Sequence, residues 1–297
     1  VKGLIYGMNT GWYTTAKVHK KFGFDITIGA NASFVPSKDE MFSFSNLNLE
    51  TVTANANEAP TVAGPKNRTN VTATVSTTVD GEEVSAEFIM PDGIKDDLPF
   101  NAVPSPSLQV GLGLPFKTDV IVRYVPEVGS DDVKGNLVGF GLKKEITSIF
   151  GPLDKLPLHI SILGTYSTMN VDYDLQNDSS IEGENQKANL KLNAYNVQAI
   201  ASLNFPIINV YGGIGYSSGT STYKMTGTYT LEYETNQPAP YDTVSTTLVD
   251  PINLDFDASG VKATLGTRIS LGIFKIFTDY TVQEYNTLNA GISFSFR

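Results

Sequence analysis

The chain ends in the stretch "TLNAGISFSFR", residues 287–297, in which apolar and polar side chains alternate. Successive side chains of a β-strand point to opposite faces, so this stretch predicts a strand with one apolar and one polar face. Half-buried strands of soluble β-sandwiches have the same pattern, so the stretch alone leaves open which two environments it separates. The apolar face consists of Leu288, Ala290, Ile292, Phe294 and Phe296.

The same alternation recurs in "FGFDITIGANASF" (residues 22–34), "LNAYNVQAIASLNF" (192–205) and "GVKATLGTRISLG" (260–272). In a membrane barrel one face of each strand meets lipid and the other meets the lumen. Together with a strand predicted at 274–284, these stretches yield a set of residues that we expect to face a lumen. The set is Asp25, Asn31, Asn196, Gln198, Lys262, Arg268, Lys275 and Asp279.

The composition favours strands over helices. The 297 residues include 26 Gly, 14 Tyr and 16 Phe, and only 18% are charged, below the quarter that is typical of soluble globular domains. No run of about 18 apolar residues is present, which excludes a transmembrane helix. Residues 1–20 lack the features of a secretory signal peptide, so we interpret the sequence as mature or truncated.

The connections between predicted strands sort by length. Counting back from the C-terminus, the long connections, including 54–103 and 231–252, all fall on one side. Bacterial outer-membrane barrels have short periplasmic turns and long extracellular loops, whereas Greek-key sandwiches would imitate only part of this order. We therefore predict an all-β, antiparallel up-and-down transmembrane barrel of about twelve strands, with both termini at the periplasmic end. This count includes strands at 3–16 and 41–53.

We expect residues 1–297 to form a single outer-membrane barrel domain. Its longest connection, 54–103, contains "VTATVSTTVDGEEVSAEFIM", which predicts two strands around a tight turn at Asp80-Gly81. We interpret these strands as an extracellular hairpin. If they instead cross the membrane, the barrel has fourteen strands.

The residue types argue against several kinds of site. A net charge of −10 without a basic tract argues against a nucleic-acid partner, and the absence of cysteine removes disulfides and thiolate metal sites. We predict no cofactor, no metal and no catalytic residues. The catalytic alternative is His159 with Ser161, but no group that would orient the histidine can be assigned, and a histidine at the membrane interface is preferred. The acidic residues Asp131, Asp132, Asp172 and Asp174 do not have the spacing of a calcium loop.

The C-terminal strand also carries a particular set of residues. Asn289, Gly291, Phe294 and Phe296 resemble the C-terminal recognition signal of bacterial outer-membrane proteins, in which a polar residue and a glycine precede two alternating aromatic residues. The resemblance implies that the barrel assembly machinery is a partner and pairs with the edge of this strand. Arg297 departs from the pattern, because an aromatic residue is usually the last one.

A wider resemblance rests on "GWYTTAKVHKKFGFDITIGANASFVP", "VIVRYVP" and "GFGLKKEI". These stretches resemble an uncharacterised family of Bacteroidetes-type outer-membrane barrels that is distantly similar to the long-chain fatty acid transporters. The resemblance covers most of the chain except the loops, and it implies a location more than an activity. Fatty acid transporters carry an N-terminal plug before their first strand, whereas strand-like sequence begins here by Leu4. We therefore expect the plug to be absent or to have been removed.

Two functional hypotheses follow for a protein in the outer membrane of a Gram-negative bacterium. The first is a channel or transporter for a small hydrophobic or amphipathic ligand, favoured by many lumen-facing glycines that would leave open space. The second is a structural or accessory barrel with a filled lumen, a subunit of a complex that docks other outer-membrane proteins through its loops. The long hairpin-bearing loop favours the second. The lipid bilayer is a partner under both hypotheses.

Overall fold

The computed structural model describes the chain except residues 48–51, 68–69, 80–81, 91, 130–132, 175–182, 235–242 and 297. In the described part, the chain contains one α-helix and seventeen strands: α1 (Lys2–Met8), β1 (Phe24–Phe34), β2 (Met41–Ser43), β3 (Val52–Ala54), β4 (Glu58–Pro60), β5 (Thr72–Val79), β6 (Glu82–Ile89), β7 (Ala102–Leu114), β8 (Thr118–Gly129), β9 (Val133–Glu145), β10 (Leu158–Asp174), β11 (Lys187–Asn204), β12 (Ile208–Thr226), β13 (Thr228–Glu234), β14 (Thr243–Val249), β15 (Ile252–Leu271), β16 (Phe274–Val282) and β17 (Thr287–Phe296). Short 3-10 helices lie at Ser37–Asp39, Phe44–Leu47, Lys95–Asp97, Pro99–Asn101 and Thr147–Lys155. No helix among the described residues has the length and apolar character needed to cross a membrane.

Ten of the described strands close into one antiparallel barrel. Their order around the barrel is β1, β17, β16, β15, β12, β11, β10, β9, β8 and β7, so each strand lies beside the next barrel strand along the chain. β1 closes the barrel because it pairs with β17 on one side and with β7 on the other. Phe24, at the start of β1, lies opposite both Phe296 and Leu112.

The alternation predicted from the sequence is present in the barrel strands. In β17, Leu288 is 42% exposed on the outside, whereas its neighbours Thr287 and Asn289 are buried inside. At the end of β17, the ring of Phe296 stacks on that of Phe24 with 4.9 Å between centroids. The outer face is therefore apolar and aromatic, and the inner face is polar.

The two ends of the barrel differ in their connections. One end, called the turn end below, carries the links at 115–117, 146–157, 205–207 and 272–273. The other, called the loop end, carries the links between β1 and β7, β8 and β9, β10 and β11, β12 and β15, and β16 and β17, which include the two longest connections, 35–101 and 227–251.

A second sheet lies on the loop-end connections. β13 and β14 continue the β12–β15 hairpin, since Thr228 pairs with Val249 just beyond the barrel. β13 also meets β6, and the whole sheet has the order β14, β13, β6, β5, β3. The strands β5 and β6 correspond to the hairpin predicted in the longest connection, whose turn residues Asp80 and Gly81 lie outside the described residues.

The predicted number of strands is wrong: the barrel has ten strands, and neither twelve nor fourteen. The segment predicted as a strand at 3–16 forms α1 and an irregular continuation inside the lumen, where neighbouring residues such as Trp12 and Tyr13 are both buried. The segment at 41–53 contributes only short strands outside the barrel, β2 and β3. The hairpin β5–β6 likewise belongs to the second sheet.

The placement of the N-terminal residues also differs from the prediction, which put both termini at the end with the short turns. Lys2 contacts Glu284 in the β16–β17 connection, so the described chain begins at the loop end. Phe296 lies at the turn end, opposite Phe24. The difference follows from the strand count, because residues 1–21 run through the barrel and the chain first pairs with the wall at Phe22.

Candidate functional site: a lumen filled by the N-terminal segment

Residues 1–23 are called the plug below, and the largely buried part of this segment, residues 3–16, lies in the barrel lumen. The expectation that a plug is absent is therefore wrong. Side chains of α1 form one buried cluster with Leu137 and Leu192 of the wall, and Trp12 and Tyr13 form a second with wall residues such as Ile200. The hydrophobic core of the molecule is thus built between the plug and the barrel wall.

At the loop end the plug is held by Glu284. Its carboxylate accepts hydrogen bonds from Lys2 Nζ (3.1 Å), Lys38 Nζ (3.1 Å) and Tyr6 Oη (2.9 Å). Partial burial would raise the pKa of Glu284, but the hydrogen bonds from Lys2 and Lys38 outweigh it and lower the pKa to about 2. The Tyr6 ring also stacks on Tyr285, with 5.7 Å between centroids. Glu284 therefore stays ionised and fixes the start of the plug.

Positively charged groups of the wall hold the carboxyl end of α1. Arg123 donates from Nη1 to the Met8 carbonyl and from Nη2 to the Thr10 carbonyl, each at 3.0 Å. Lys262 Nζ donates to the Asn9 carbonyl at 2.6 Å. The last carbonyls of a helix lack partners within the helix and form the negative end of its dipole, so cations are favoured there.

Neutral side chains of the wall complete this contact. Asn31 Nδ2 donates to the Gly7 carbonyl at 3.1 Å, and Gln109 Nε2 donates to the Gly11 carbonyl at 3.2 Å. Gly11 has a φ of +73°, and a Cβ there would lie 3.0 Å from Oδ1 of both Asn31 and Asn289, so the chain needs glycine at this turn. In its polar contacts, the wall thus binds the plug mainly through the plug backbone.

Wall glycines make room for Trp12. A Cβ at Gly139 would lie 2.8 Å from the Trp12 ring, and one at Gly141 would lie 3.2 Å from it. The Arg123 guanidinium covers the ring at 4.0 Å from its centroid, a cation–π contact. The inference that lumen-facing glycines leave open space is therefore wrong at these positions, because they accommodate the plug.

At the turn end the plug is held by a charged cluster around His19. His19 Nδ1 lies 3.0 Å from Asp119 Oδ2, and its Nε2 lies 3.3 Å from Asp25 Oδ2. Lys143 Nζ contacts the same Asp119 oxygen at 3.0 Å and donates to the Lys17 carbonyl at 3.1 Å. Burial lowers the pKa of His19, but hydrogen bonds to Asp119 and Asp25 outweigh it and raise the pKa above its usual value. A doubly protonated ring donates to both carboxylates.

His159 and Ser161, the catalytic alternative, also take part in binding the plug. His159 Nδ1 lies 3.0 Å from Glu145 Oε1, so the histidine has an acidic partner that the sequence did not reveal. The other Glu145 oxygen accepts the Val18 backbone N–H at 3.1 Å. Ser161 Oγ is fully buried and donates to the Ala16 carbonyl at 2.5 Å. These contacts engage the serine with the plug backbone.

The predicted lumen residues all lie on the inner face of the wall. Four of them contact the plug directly: Asn31 and Lys262 contact its backbone, and Arg268 and Asp25 contact the side chains of Thr14 and His19. Asp279 accepts from Tyr211 Oη (2.8 Å) and from Asn289 Nδ2 (2.7 Å). Lys275 donates to Ser295 Oγ, and Asn196 and Gln198 are buried.

The four residues of the C-terminal pattern lie on both faces of β17. Asn289 points inward to Asp279, and a Cβ at Gly291 would lie 2.3 Å from the Ile28 carbonyl oxygen, so the strands approach closely there. Phe294 and Phe296 contact the rings of Phe274 and Phe24. Among the described residues, no group of three or more His, Cys, Asp or Glu side chains forms a metal site. Asp131 and Asp132 lie outside the described residues.

The sequence did not reveal the roles of Arg123, His19 and Lys143. Arg123 has a signal in retrospect, since it is the only charged residue in "VIVRYVP" and falls on the inner face with Asp119 and Ile121. His19 and Lys143 lie among other basic residues and carry no such signal.

A cavity remains beside the plug at the turn end, with a volume of about 820 Å³. Trp12, Tyr13 and Ile121 line it together with Phe205 and Ile273. It also has a cationic lining, formed by Lys17, Lys20, Lys143, Arg268 and Lys275. We call it the turn-end cavity.

The ten strands form a closed barrel, and an N-terminal segment of the same chain fills it. The protein is therefore, by class, a plugged β-barrel. The chain belongs to a family of unknown function (DUF6588), whose model matches residues 1–296. No curated protein matches the chain.

Solved structures similar to the chain include barrels of different kinds. The attachment invasion locus protein Ail of Yersinia pestis is 8% identical, with 93% of this chain and 100% of that chain covered and a TM-score of 0.31. The translocator domain of the autotransporter NalP from Neisseria meningitidis is 9% identical over 99% and 93%, with a TM-score of 0.30. The toluene transporter TbuX of Ralstonia pickettii is 8% identical over 99% and 93%, with a TM-score of 0.20. At these scores the barrel assignment rests on the strand pairing of this chain.

Proposed function

We propose that the protein is an integral outer-membrane barrel that admits a small hydrophobic or amphipathic ligand when its plug moves. The outer surface supports the membrane location. Val261, for example, is 79% exposed, and soluble monomers rarely expose contiguous apolar patches of more than a few hundred Å². Residues of this outer surface include Ile28, Phe140, Leu142, Val197, Ile214, Val261 and Leu265.

The orientation that we propose follows from the connections. Outer-membrane barrels keep short turns in the periplasm and long loops outside, so the turn end is periplasmic and the loop end, with the second sheet, is extracellular. The barrel strands have nine or more residues, which is sufficient because a tilted strand crosses the bilayer in about 9 to 11 residues.

The observation that carries the transport proposal is the way the plug is bound. Much of its attachment consists of hydrogen bonds from the wall to backbone carbonyls, as at Met8, Thr10 and Lys17. Water replaces such bonds when a segment leaves, so each contributes only about 1.5 to 3 kcal/mol net even with a charged donor, well below its gross strength. A segment attached in this way closes the lumen and remains separable from it.

The test is single-channel conductance of the refolded protein in a planar bilayer. A variant that lacks residues 1–18 is expected to show stable conductance steps, because the plug no longer fills the lumen. Its matched control is the pair Gly7→Cys and Ser105→Cys. A Cβ at Gly7 lies 3.1 Å from Ser105 Cβ, close to disulfide distance, and the chain has no other cysteine. We expect the oxidised pair to be silent and reduction to restore the behaviour of the parent. A folded deletion variant without conductance would contradict transport.

The second candidate function is that of an accessory barrel that docks other outer-membrane proteins. The observation that favours it is the second sheet, whose outer strands β3 and β14 each have only one strand neighbour among the described residues. Exposed strand edges offer backbone groups for pairing with another chain. Stoichiometric partners that co-purify in mild detergent, and that are lost when residues 70–90 are replaced by a short Gly-Ser link, would support it.

A further inference from the structure

The turn-end cavity contains a buried cation that lacks a carboxylate partner. Arg268 is 7% exposed and lines the cavity. Among the described residues, its Nη1 donates to Thr14 Oγ1 at 3.2 Å and its Nε has no hydrogen-bond partner. Buried charges are usually paired, and leaving such a donor unsatisfied costs free energy.

The other buried arginine shows what a satisfied guanidinium looks like in this barrel. Arg123 donates from Nε and Nη2 to Gln109, and from Nη1 and Nη2 to two plug carbonyls. Each guanidinium nitrogen of Arg123 therefore has a hydrogen-bond partner within the protein. Arg268 lies at a similar depth and lines the cavity, but among the described residues only its Nη1 has a hydrogen-bond partner, and its Nε is buried without one.

The lining of the cavity carries more positive than negative charge. Five cationic residues line it, although the chain as a whole carries a net charge of −10. The two lining carboxylates, of Asp25 and Asp119, already contact His19, and Asp119 also contacts Lys143. A concave site whose lining has an excess of one sign of charge concentrates ions of the opposite sign.

We propose that the turn-end cavity binds a small oxyanion, a phosphate or a carboxylate, on the Arg268 guanidinium. The planar fork of arginine matches the oxygens of these groups, which is why arginine is favoured where phosphate or carboxylate is recognised. Asn209 lies opposite Arg268 in the β12–β15 pairing and also lines the cavity, so an amide side chain lies beside the guanidinium. The identification of this anion as a transported ligand rests on the proposed function, whereas its binding does not.

The experiment uses Trp12, the single tryptophan of the chain, because it lines the cavity. Its fluorescence is followed in an uncharged detergent while potassium phosphate, and separately potassium acetate, replaces potassium chloride at constant ionic strength. We expect a saturable change for the parent. Arg268→Gln is expected to weaken the apparent affinity by about tenfold or more, since a hydrogen bond to a charged group contributes about 1.5 to 3 kcal/mol.

The matched control is Lys66→Gln, which removes one exposed positive charge in the β4–β5 connection at the loop end and is expected to leave the titration unchanged. Arg268→Lys keeps the charge without the fork and should bind at an intermediate concentration, which also covers the case in which Arg268→Gln fails to fold. Phosphatidic acid in the same micelles distinguishes a lipid head group from a soluble ion. A response that does not saturate, or that is the same in the parent and in folded Arg268 variants, would overturn the proposal.

The outcome is independent of the conductance test. If the parent binds phosphate but the plug-deleted variant never conducts, the anion site is supported and the transport proposal is contradicted. Conductance without Arg268-dependent binding would keep transport and remove the anion site.

Discussion

Arg123→Gln should loosen the plug while leaving the barrel intact. The substitution removes two charge-assisted hydrogen bonds, to the carbonyls of Met8 and Thr10, and the cation–π contact with Trp12. Two such bonds contribute about 3 to 6 kcal/mol together. Part of this is offset, because the variant no longer buries a guanidinium. We therefore expect a net loss of about 3 kcal/mol in plug binding, which is a factor of roughly 100 in its equilibrium.

Hydrogen exchange measured by mass spectrometry is the suitable assay, because exchange rates of protected amides report local opening free energies. Peptides from residues 1–23 should exchange about 100-fold faster in Arg123→Gln than in the parent. Peptides from β10 and β11, which pair along their whole length, should be unchanged. Lys144→Gln is the matched control, because Lys144 lies on the outer face of β9 and donates to the Phe116 carbonyl rather than to the plug.

Unchanged plug exchange in a folded Arg123→Gln variant would refute the reasoning. It would mean that side-chain packing alone, without the hydrogen bonds to the helix end, retains the plug. Faster exchange throughout the barrel would also count against it, because Arg123 would then support the wall as a whole.

Three further predictions concern the wall glycine that packs against Trp12, the charged cluster around His19 and the C-terminal strand. Gly139→Ala places a methyl group 2.8 Å from the Trp12 ring and should lower stability by about 1 to 3 kcal/mol with a shift in Trp12 emission, whereas Gly164→Ala, with nothing within 4 Å, should have no such effect in thermal unfolding. Because the folded-state pKa of His19 is raised, the stabilisation by its cluster is complete below the unfolded pKa of about 6.5 and is lost as the pH rises through the folded value. Amide hydrogen exchange of residues 15–23, corrected for intrinsic rates, should therefore accelerate as the pH rises in the parent. It should not do so in His19→Gln. Phe296→Ala should slow assembly into vesicles that contain the barrel assembly machinery, whereas Phe22→Ala, also aromatic and exposed, should assemble at the parental rate.

The barrel class was predictable because its signal is local. A barrel strand is exposed to two environments along its whole length, so each strand records them by alternation, as in 22–34 and 260–272. The strand count failed where alternation has another origin. The segment "MFSFS" at residues 41–45 alternates, yet only Met41–Ser43 pairs, with β4 outside the barrel. Residues 3–16 are surrounded by the wall, so their burial follows no period of two.

The plug was harder to predict because most of its polar attachment uses backbone groups, which every sequence shares. A backbone carbonyl at Met8 or Thr10 accepts from Arg123 whatever side chains those residues carry. The sequence of the plug therefore contains little signal of its binding. The signal lies in the wall instead, as isolated inward-facing donors such as Arg123 and Lys262. These donors indicate that something fills the lumen, and the partner became visible only when the path of residues 1–23 was known. The same comparison singles out Arg268, an inward donor whose Nε the plug leaves without a partner.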